Sequence, residues 1–241
     1  MNILLLGYGK MGQLIDELAT AQGHHVVERI HVDNRELLET LDPKTVDVAI
    51  EFSQPEAAVE NIKWCLQRQI PVAVGTTGWL DQKPEIDAYC SQHKGTYLFA
   101  SNYSIGVNVF FRLNEYLAQL MASQAYEVST KEIHHTSKKD APSGTSITLA
   151  EGILKHLTQK KKWVNHSTNQ PDELAIVSER IDPAPGTHEI TYTSPVDTIE
   201  IKHTAHSREG FARGAIAVAE WLKDQKGIKT MNEFLESKFQ A

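Results

Sequence analysis

The start of the chain joins a short apolar segment to a glycine-rich loop, and this pair constrains the fold more than any other feature. Residues 2–6, Asn-Ile-Leu-Leu-Leu, are almost continuously apolar, as in a strand covered on both faces of a parallel sheet. They lead into the run Gly7-Tyr8-Gly9-Lys10-Met11-Gly12, which has the spacing G-x-G-x-x-G, and apolar residues at helical spacing follow up to Gly23. A strand, this loop and a helix in this order predict a dinucleotide-binding βαβ unit.

The three glycines of this loop have separate predicted tasks. The first turns the chain, the second lets the backbone approach a pyrophosphate, and the third allows the helix to pack closely on the strand. The pyrophosphate then lies over the start of the helix, where unpaired N–H groups and the helix dipole favour an anion. We therefore predict that this loop binds a nicotinamide dinucleotide through Gly7, Tyr8, Gly9, Lys10, Met11 and Gly12.

The residues after the second predicted strand bear on the choice of cofactor. This strand spans roughly His25 to Val32, and Asp33 follows it. Asp33 lies about 20 residues beyond Gly12, the offset at which an acidic residue contacts the adenosine ribose and favours NAD. Lys10 and Arg35 are cations suited to a 2′-phosphate, but cations of this kind are equally typical of a solvated surface. The sequence therefore predicts NADH, NADPH or both.

Strand-like and helix-like segments alternate as far as residue 100. Strands are predicted at 46–52, 71–74 and 96–100, and helices at 56–67 and 81–93. This order is typical of a doubly wound α/β domain, in which ligands bind at the carboxyl ends of the parallel strands. Gly75-Thr76-Thr77-Gly78 follows one of these strands, and it is either a site for the nicotinamide ribose or amide or a plain turn.

The pattern changes beyond residue 106. Residues 107–123 have the spacing of a long amphipathic helix, and 173–178, 186–192 and 197–204 alternate with the period of two that strands show. We predict a smaller α+β domain with a mixed sheet at 105–208, and a final helix from about residue 207 that packs on the first domain. The dinucleotide-binding domain then comprises 1–104 and 209–241. A sheet of this kind needs a cover, which favours a homo-oligomer.

Composition excludes several classes of protein. A chain of 241 residues with 41% hydrophobic and 23% charged residues is typical of a globular protein large enough for two cores. Its net charge of −7 argues against broad nucleic-acid binding, and its apolar runs are too short to span a membrane. We see no secretory signal and expect a cytoplasmic protein. Cys65 and Cys90 are predicted to be buried free thiols, and Lys160-Lys161-Lys162 is interpreted as a solvated helix end.

The stretch from Glu132 to Thr145 concentrates titratable groups between a predicted strand and a predicted helix. Pro142 disfavours helix before it, and Ser143 is a good N-cap. The backbone N–H groups of Gly144, Thr145 and Ser146 then form a helix start that can hold a small carboxylate. With His134, His135 and Lys138 nearby, the stretch predicts proton transfer beside a bound carboxylate.

A plainer interpretation of this stretch remains open. Histidine and lysine pairs are common on surfaces, and Pro-Ser-Gly-Thr is an ordinary way to begin a helix. If the strand runs to its end, however, His134 and His135 lie on opposite faces. They are then poorly placed to chelate one metal, so we predict two different roles and no metal site.

The chain resembles the dihydrodipicolinate reductases, the 4-hydroxy-tetrahydrodipicolinate reductases of bacterial lysine and diaminopimelate biosynthesis. The resemblance spans the whole chain, and it depends on four runs. They are the glycine loop 7–12, the run 75–78, Ala100-Ser101-Asn102-Tyr103-Ser104-Ile105-Gly106-Val107-Asn108, and above all 132–145. The last of these is highly specific. The glycine loop is tighter than the family's commoner G-x-x-G-[RK]-M-G, with Lys10 where an arginine is frequent.

This resemblance implies an NAD(P)H-dependent oxidoreductase that adds a hydride to ring C4 of a cyclic dicarboxylate. It implies a Rossmann-type cofactor domain, a substrate and tetramerisation domain, and closure of one onto the other. His134 resembles the catalytic histidine, Lys138 the proton donor, His135 a substrate ligand, and Gly144 with Thr145 the carboxylate binders. Further cofactor contacts are implied at Gly75, Thr76, Thr77, Ala100, Ser101, Asn102 and Tyr103.

Two other classes share parts of this pattern. One is another amino-acid-pathway dehydrogenase, such as an aspartate or homoserine dehydrogenase. The other is a non-catalytic NAD-responsive binding protein, which has no need of histidines and a lysine beside an anion site. A serine hydrolase built on Ser143 is weaker, because Pro-Ser-Gly is not the G-x-S-x-G elbow.

Overall fold

The computed structural model describes residues 1–239, which form two compact units. The first comprises Met1–Ile105 and the chain from Glu209 onward, and the second comprises Gly106–Arg208. Residues 240 and 241, which the prediction places in the dinucleotide-binding domain, lie outside the described residues. Among residues 1–239, no helix combines the length and apolar character that crossing a membrane requires.

The elements follow one another with short connections. The first unit begins with β1 (Asn2–Leu6), α1 (Lys10–Ala21), β2 (His25–Ile30), α2 (Leu37–Thr40), β3 (Val48–Glu51), α3 (Pro55–Gln67), β4 (Val72–Val74), α4 (Lys83–His93) and β5 (Thr96–Phe99). The chain continues with α5 (Ile105–Met121), β6 (Glu127–His134), α6 (Gly144–Leu154), β7 (Lys162–Val164), β8 (Glu173–Arg180), β9 (Gly186–Thr193) and β10 (Thr198–Ala205). It ends with α7 (Glu209–Leu222), β11 (Gly227–Lys229) and α8 (Met231–Phe239).

The first unit is built on a parallel sheet with the strand order β11-β5-β4-β3-β1-β2. The apolar run of β1 is buried because helices cover both faces of the sheet. Ile3 and Leu5 pack with α1 and α7, whereas Leu4 and Leu6 pack with α3 and α4. The predicted doubly wound fold is therefore confirmed. Because β1 lies between β2 and β3, its carboxyl end is the switch point at which such sheets bind ligands.

The second unit contains a mixed sheet with the order β10-β9-β6-β8-β7. The central strand β6 pairs antiparallel with β9 and parallel with β8. Residues of β6, β8 and β9 pack on one face against α5 and α6, with Leu149, Ile153, Ile176 and Ile190 among the buried residues. The predicted mixed sheet is thus confirmed. No residue of the edge strand β10 is buried, and the homo-oligomer stays a prediction.

Three expectations about elements differ from the structure. The strand β2 ends at Ile30, two residues early. Lys160-Lys161-Lys162 is not a solvated helix end, because Lys160 is buried with its Nζ 3.2 Å from Glu127 Oε2, and Lys162 begins β7. The helix α7 packs on the first sheet as predicted, but it is not the last element, since β11 and α8 follow and α8 buries Phe234 in the same core.

The two cysteines are free and buried, as predicted. Both lie in the core between the first sheet and the helices α3 and α4. Burial raises the pKa of the Cys65 thiol well above its ordinary range, and it raises the pKa of Cys90 as well. Neither thiol is therefore suited to thiolate chemistry at neutral pH.

Candidate active site

The glycine loop is closely packed at two of its glycines and open at the third. Gly7 has φ +101°, and a Cβ on it would lie 2.0 Å from Phe52 O. A Cβ on Gly12 would lie 2.2 Å from Gly7 O, so the start of α1 fits tightly against the loop. At Gly9, apart from its own chain neighbours, no atom of residues 1–239 lies within 4 Å of the Cβ position. This geometry leaves space at Gly9, beside the start of α1, where a dinucleotide pyrophosphate binds.

The loop borders a cavity of about 680 Å³. Its lining includes Gly7, Tyr8, Gly9, Ile30, Arg35, Phe52, Ser53, Glu56 and Asn61. Tyr8 is anchored at the rim, because its hydroxyl donates to Asp16 Oδ2 at 2.6 Å. Lys10 is exposed at the first position of α1, and Met11 packs against the core.

Asp33 and Arg35 are placed differently relative to this cavity. Because β2 ends at Ile30, Asp33 falls in the loop beyond it, with 83% of its side chain exposed and its carboxylate 3.4 Å from His31 Nδ1. Of the two residues, only Arg35 belongs to the described lining of the cavity. Arg35 Nη1 donates a hydrogen bond to Asn61 Oδ1, which holds the guanidinium at the cavity wall.

The loops after β4 and β5 reach the same edge of the sheet. Two of their side chains are used inside the protein: Thr76 Oγ1 accepts from Ser53 N at 2.8 Å, and the Tyr103 hydroxyl donates to Val74 O and Leu98 O at 3.0 and 3.2 Å. A Cβ on Gly75 would lie 2.2 Å from the Phe52 ring. The more accessible residues are Thr77, Ser101 and Asn102, while Ala100 is buried. The hydroxyl groups of Thr76 and Tyr103 therefore form hydrogen bonds within the protein, and contacts of these loops with the cofactor stay predictions.

In the second unit, β6 delivers the predicted histidines to different environments. Glu132 and His134 lie on the buried face of the strand, two residues apart. His135 follows the end of the strand, is half-buried, and has its Nδ1 2.7 Å from Ser137 Oγ. The two histidines therefore have different surroundings, as predicted for residues with two different roles.

Glu132 is fully buried, and hydrogen-bond donors surround its carboxylate. Its Oε1 accepts from Ser178 Oγ at 2.7 Å and from Arg180 Nη2 at 3.3 Å, and its Oε2 accepts from Ser146 Oγ at 2.8 Å. The backbone N–H of Ser143 donates to both oxygens at 3.2 and 3.1 Å. Burial alone raises the pKa of Glu132, but these bonds outweigh it and bring the pKa to about 2. The carboxylate is thus a buried anion with its partners in place.

The start of α6 is the predicted anion site. Ser143 caps the helix, since its side chain accepts from Ser146 N at 3.2 Å. The N–H of Ser146 is therefore not one of the unpaired donors, contrary to the prediction. The N–H groups of Gly144 and Thr145 have no partner within the helix, and nothing lies within 4 Å of the Cβ position of Gly144. A carboxylate can therefore approach the backbone N–H groups of Gly144 and Thr145 closely.

His188 extends the buried network from β9. Its Nδ1 lies 3.1 Å from Ser146 Oγ. Because Ser146 gives its one hydroxyl proton to Glu132, His188 Nδ1 must be the donor, and its Nε2 carries the lone pair. Burial, with a smaller effect of His134, lowers the pKa of His188 to about 4. Burial also lowers the pKa of His134, whose ring packs edge-on against His188 at 5.1 Å. Both imidazoles are therefore neutral at pH 7.

Glu132, His134 and His188 are close enough to hold a metal ion, with one ligand atom of each within 4.8 Å of the others. The hydrogen bonds of Glu132 argue against that use. Serine and backbone donors occupy its lone pairs, and the guanidinium of Arg180 already balances its charge. We therefore assign Glu132 and His188 to a hydrogen-bond network through Ser146, while His134 Nδ1 lies 3.5 Å from Glu132 Oε2 and has no hydrogen-bond partner among the described residues.

Lys138 lies between the strand and the anion site. Its Nζ is 2.7 and 2.8 Å from the two carboxylate oxygens of Asp140, so it is held as an ammonium. The backbone N–H of Lys138 donates to His135 O at 3.1 Å and closes a turn. The second unit thus brings together a neutral imidazole, an ammonium and an open helix start.

Sequence reasoning assigned no role to Glu132, Arg180 or His188. Glu132 was within the central stretch, but a single carboxyl there had no evident partner. Arg180 and His188 come from β8 and β9, which pair with β6 at a distance of more than forty residues along the chain. These residues are identified by the register of the sheet. It places Arg180 opposite His134 and His188 opposite Glu132.

Comparisons with known proteins cover nearly the whole chain. The family model "Dihydrodipicolinate reductase, N-terminus" matches residues 1–103, and "Dihydrodipicolinate reductase, C-terminus" matches residues 106–235. A 4-hydroxy-tetrahydrodipicolinate reductase of Christiangramia forsetii is 46% identical over 99% of both chains, and one of Alkaliphilus oremlandii is 34% identical over 98% of both. A dipicolinate-bound dihydrodipicolinate reductase from Paenisporosarcina sp. TG-14 has a similar fold, with a TM-score of 0.75, 21% identity, and 95% and 97% of the two chains covered.

Proposed function

The chain belongs to the dihydrodipicolinate reductase family, and we propose on that basis that it reduces 4-hydroxy-tetrahydrodipicolinate to tetrahydrodipicolinate with NADH or NADPH. It is an NAD(P)H-dependent oxidoreductase of lysine and diaminopimelate biosynthesis. The observation that carries the proposal for this chain is the juxtaposition of Lys138, the buried His134 and the open start of α6 in the second unit. The homotetramer implied by the resemblance and the cytoplasmic location expected from the lack of a secretory signal stay predictions.

The chemistry asks three things of the protein. After the 4-hydroxyl group has left as water, ring C4 accepts a hydride from the bound dinucleotide, and the electron pair placed in the ring takes up one proton. The protein must hold the cofactor, fix the substrate carboxylates and supply that proton. We assign the first task to the glycine loop and the loops after β4 and β5, and the others to the second unit.

We assign the proton to Lys138 rather than to His134. Burial lowers the pKa of His134, so its imidazole carries no extra proton at pH 7. Lys138, by contrast, is held as an ammonium against Asp140. A neutral imidazole still donates one N–H hydrogen bond, which suits His134 to orienting the substrate, and the half-buried ring of His135 is suited to a carboxylate.

Gly144 and Thr145 are proposed to bind one substrate carboxylate. The backbone N–H groups and the Thr145 hydroxyl can donate to the same anion, and charge-assisted bonds of this kind contribute about 1.5–3 kcal/mol each. We expect Thr145→Val to raise the KM for the substrate about tenfold or more, with a smaller change in kcat. Steady-state kinetics measure this, with Thr148→Val, one turn further along α6, as the matched control. An unaltered KM in Thr145→Val would contradict the carboxylate site.

For the cofactor we propose that Arg35, rather than Asp33, faces the adenosine ribose. The guanidinium borders the cavity and is held by Asn61, whereas the Asp33 carboxylate is exposed and near His31. A planar guanidinium matches a 2′-phosphate in a bidentate way. We therefore expect NADPH to be used with a higher kcat/KM than NADH.

One assay tests both proposals. Loss of absorbance at 340 nm is followed with NADH and with NADPH in parallel, with substrate made in situ from pyruvate and aspartate semialdehyde by the preceding synthase. We expect oxidation only when the synthase is present, and faster at limiting NADPH than at limiting NADH. Equal or better use of NADH would contradict the role of Arg35. No oxidation by folded, NADH-binding protein would favour another dehydrogenase or a binding protein.

A further inference from the structure

Arg180 is the last residue of β8 and lies opposite His134 in the parallel pairing of β8 with β6. Four of the five N–H donors of its guanidinium have described partners within the second unit. Nη2 lies 2.6 Å from Asp140 O and 3.3 Å from Glu132 Oε1, Nε lies 3.4 Å from Lys138 O, and Nη1 lies 2.9 Å from Glu179 O. The side chain is only 21% exposed. Arg180 thus contacts the backbone on both sides of Lys139.

The segment that Arg180 contacts is otherwise weakly held. Residues 139–141 are exposed, and the described bonds of Lys138 apart from Arg180 are the turn bond to His135 and the ion pair with Asp140. That ion pair lies within the segment and moves with it, so it does not fix Lys138 relative to β6. The bonds from Arg180 to the carbonyls of Lys138 and Asp140 connect the segment to the sheet.

Glu132 links this arrangement to the anion site. The same carboxylate that accepts from Arg180 also accepts from Ser143 N and Ser146 Oγ at the start of α6. A continuous and largely buried series of hydrogen bonds therefore runs from the 138–140 segment through Arg180 and Glu132 to α6. It connects the backbone that carries Lys138 to the helix start that carries Gly144 and Thr145.

We propose that Arg180 is a positioning residue for Lys138. It holds the 138–140 backbone so that the ammonium meets the substrate ring while α6 holds the carboxylate. Four of its five N–H donors are used by Glu132, Glu179 and the carbonyls of Lys138 and Asp140, so we assign it to positioning rather than to binding the substrate. The inference depends on the proposed role of Lys138 as proton donor, and its test separates the two.

Arg180→Lys keeps the positive charge but loses the planar fork that spans two carbonyls. We expect kcat for synthase-dependent oxidation of NADPH to fall about 10- to 100-fold, since a shift of about 1 Å in a reacting group costs that much. The KM for the substrate and the Kd for NADPH should stay close to the wild-type values. A raised substrate KM with an unchanged kcat would instead make Arg180 a direct carboxylate ligand and overturn the inference.

A double-mutant cycle with Lys138→Ala gives the decisive readout. If Arg180 acts through Lys138, then Arg180→Lys causes no further loss of kcat in a protein that already carries Lys138→Ala. Suppose that Lys138→Ala lowers kcat and that adding Arg180→Lys lowers it further by the same factor as in the wild type. The positioning role of Arg180 is then wrong, while the role of Lys138 stands. If Lys138→Ala alone keeps full turnover, the proposed proton donor is wrong and the inference fails with it.

Two controls separate positioning from folding. Lys139→Ala, between the two carbonyls that Arg180 contacts, should keep wild-type kcat. Arg180→Gln serves as a second variant, and cooperative urea unfolding at the wild-type midpoint shows that each variant is folded, since NADPH binding reports on the first unit alone. A strongly lowered unfolding midpoint in both Arg180 variants would make this residue a determinant of folding and would overturn the inference.

Discussion

Replacement of Lys138 by alanine is expected to lower kcat by about 10²- to 10⁴-fold, the range for loss of a general acid. The physical reason is the lack of a second proton source at this place. His134 is neutral at pH 7 because burial lowers its pKa, and burial brings the pKa of His188 to about 4. With Lys138 removed, the proton must come from water, because the neutral imidazoles of His134 and His188 do not supply it.

The measurement is steady-state oxidation of NADPH together with the Kd of NADPH. The Kd should change little, because Lys138 belongs to the second unit and the glycine loop to the first. Lys139→Ala is the matched control, since Lys139 is the adjacent lysine but is exposed. If binding of NADPH weakened as steeply as turnover, Lys138 would belong to the cofactor site and the assignment would be wrong.

Features with a short-range cause were predictable from the sequence. The strand, the glycine loop and the helix that follow one another from Asn2 to Ala21 are set by local patterning. Ser143 as N-cap is equally local, because a hydroxyl bonds an N–H three residues ahead. The burial of Glu132 and His134 on one face of β6 follows from the period of a strand, whereas His135 lies beyond the end of the strand.

Features that depend on pairing between distant segments were not predictable. Thr76 and Tyr103 have hydroxyls suited to a ligand, but Ser53 N, Val74 O and Leu98 O already use them. Sequence shows which side chains can donate or accept, and only the fold shows which of them are already satisfied.

Asp33 illustrates a different limit. The fixed offset from the glycine loop assumes that the strand extends to its acidic neighbour, and β2 stops at Ile30. Asp33 therefore lies in the loop beyond the strand, exposed and beside His31, and its contact with the ribose stays a prediction. The cation two residues further on, Arg35, borders the cavity.

Glu132→Gln is expected to destabilise the protein by about 3 kcal/mol at pH 7, because breaking a buried ion pair leaves its partner uncompensated. The substitution keeps the shape of the side chain but removes the negative charge beside Arg180, and it turns one acceptor oxygen into a donor. Ser143 N, Ser146 Oγ and Ser178 Oγ now share one oxygen. Urea unfolding at fixed protein concentration measures the loss, with Glu200→Gln on the exposed strand β10 as the control.

The pH dependence identifies the charge as the cause. Folding lowers the pKa of Glu132 from 4.5 to about 2, so the ionised carboxylate stabilises the fold above pH 4.5 and this contribution is lost as the pH falls toward 2. A shift of this size corresponds to about 3 kcal/mol. The difference between wild type and Glu132→Gln should therefore be constant from pH 7 to about pH 5 and shrink by about half near pH 3. A difference that stays the same at pH 3 would mean that shape rather than charge holds α6, and the coupling of Arg180 to the anion site would then lose its electrostatic basis.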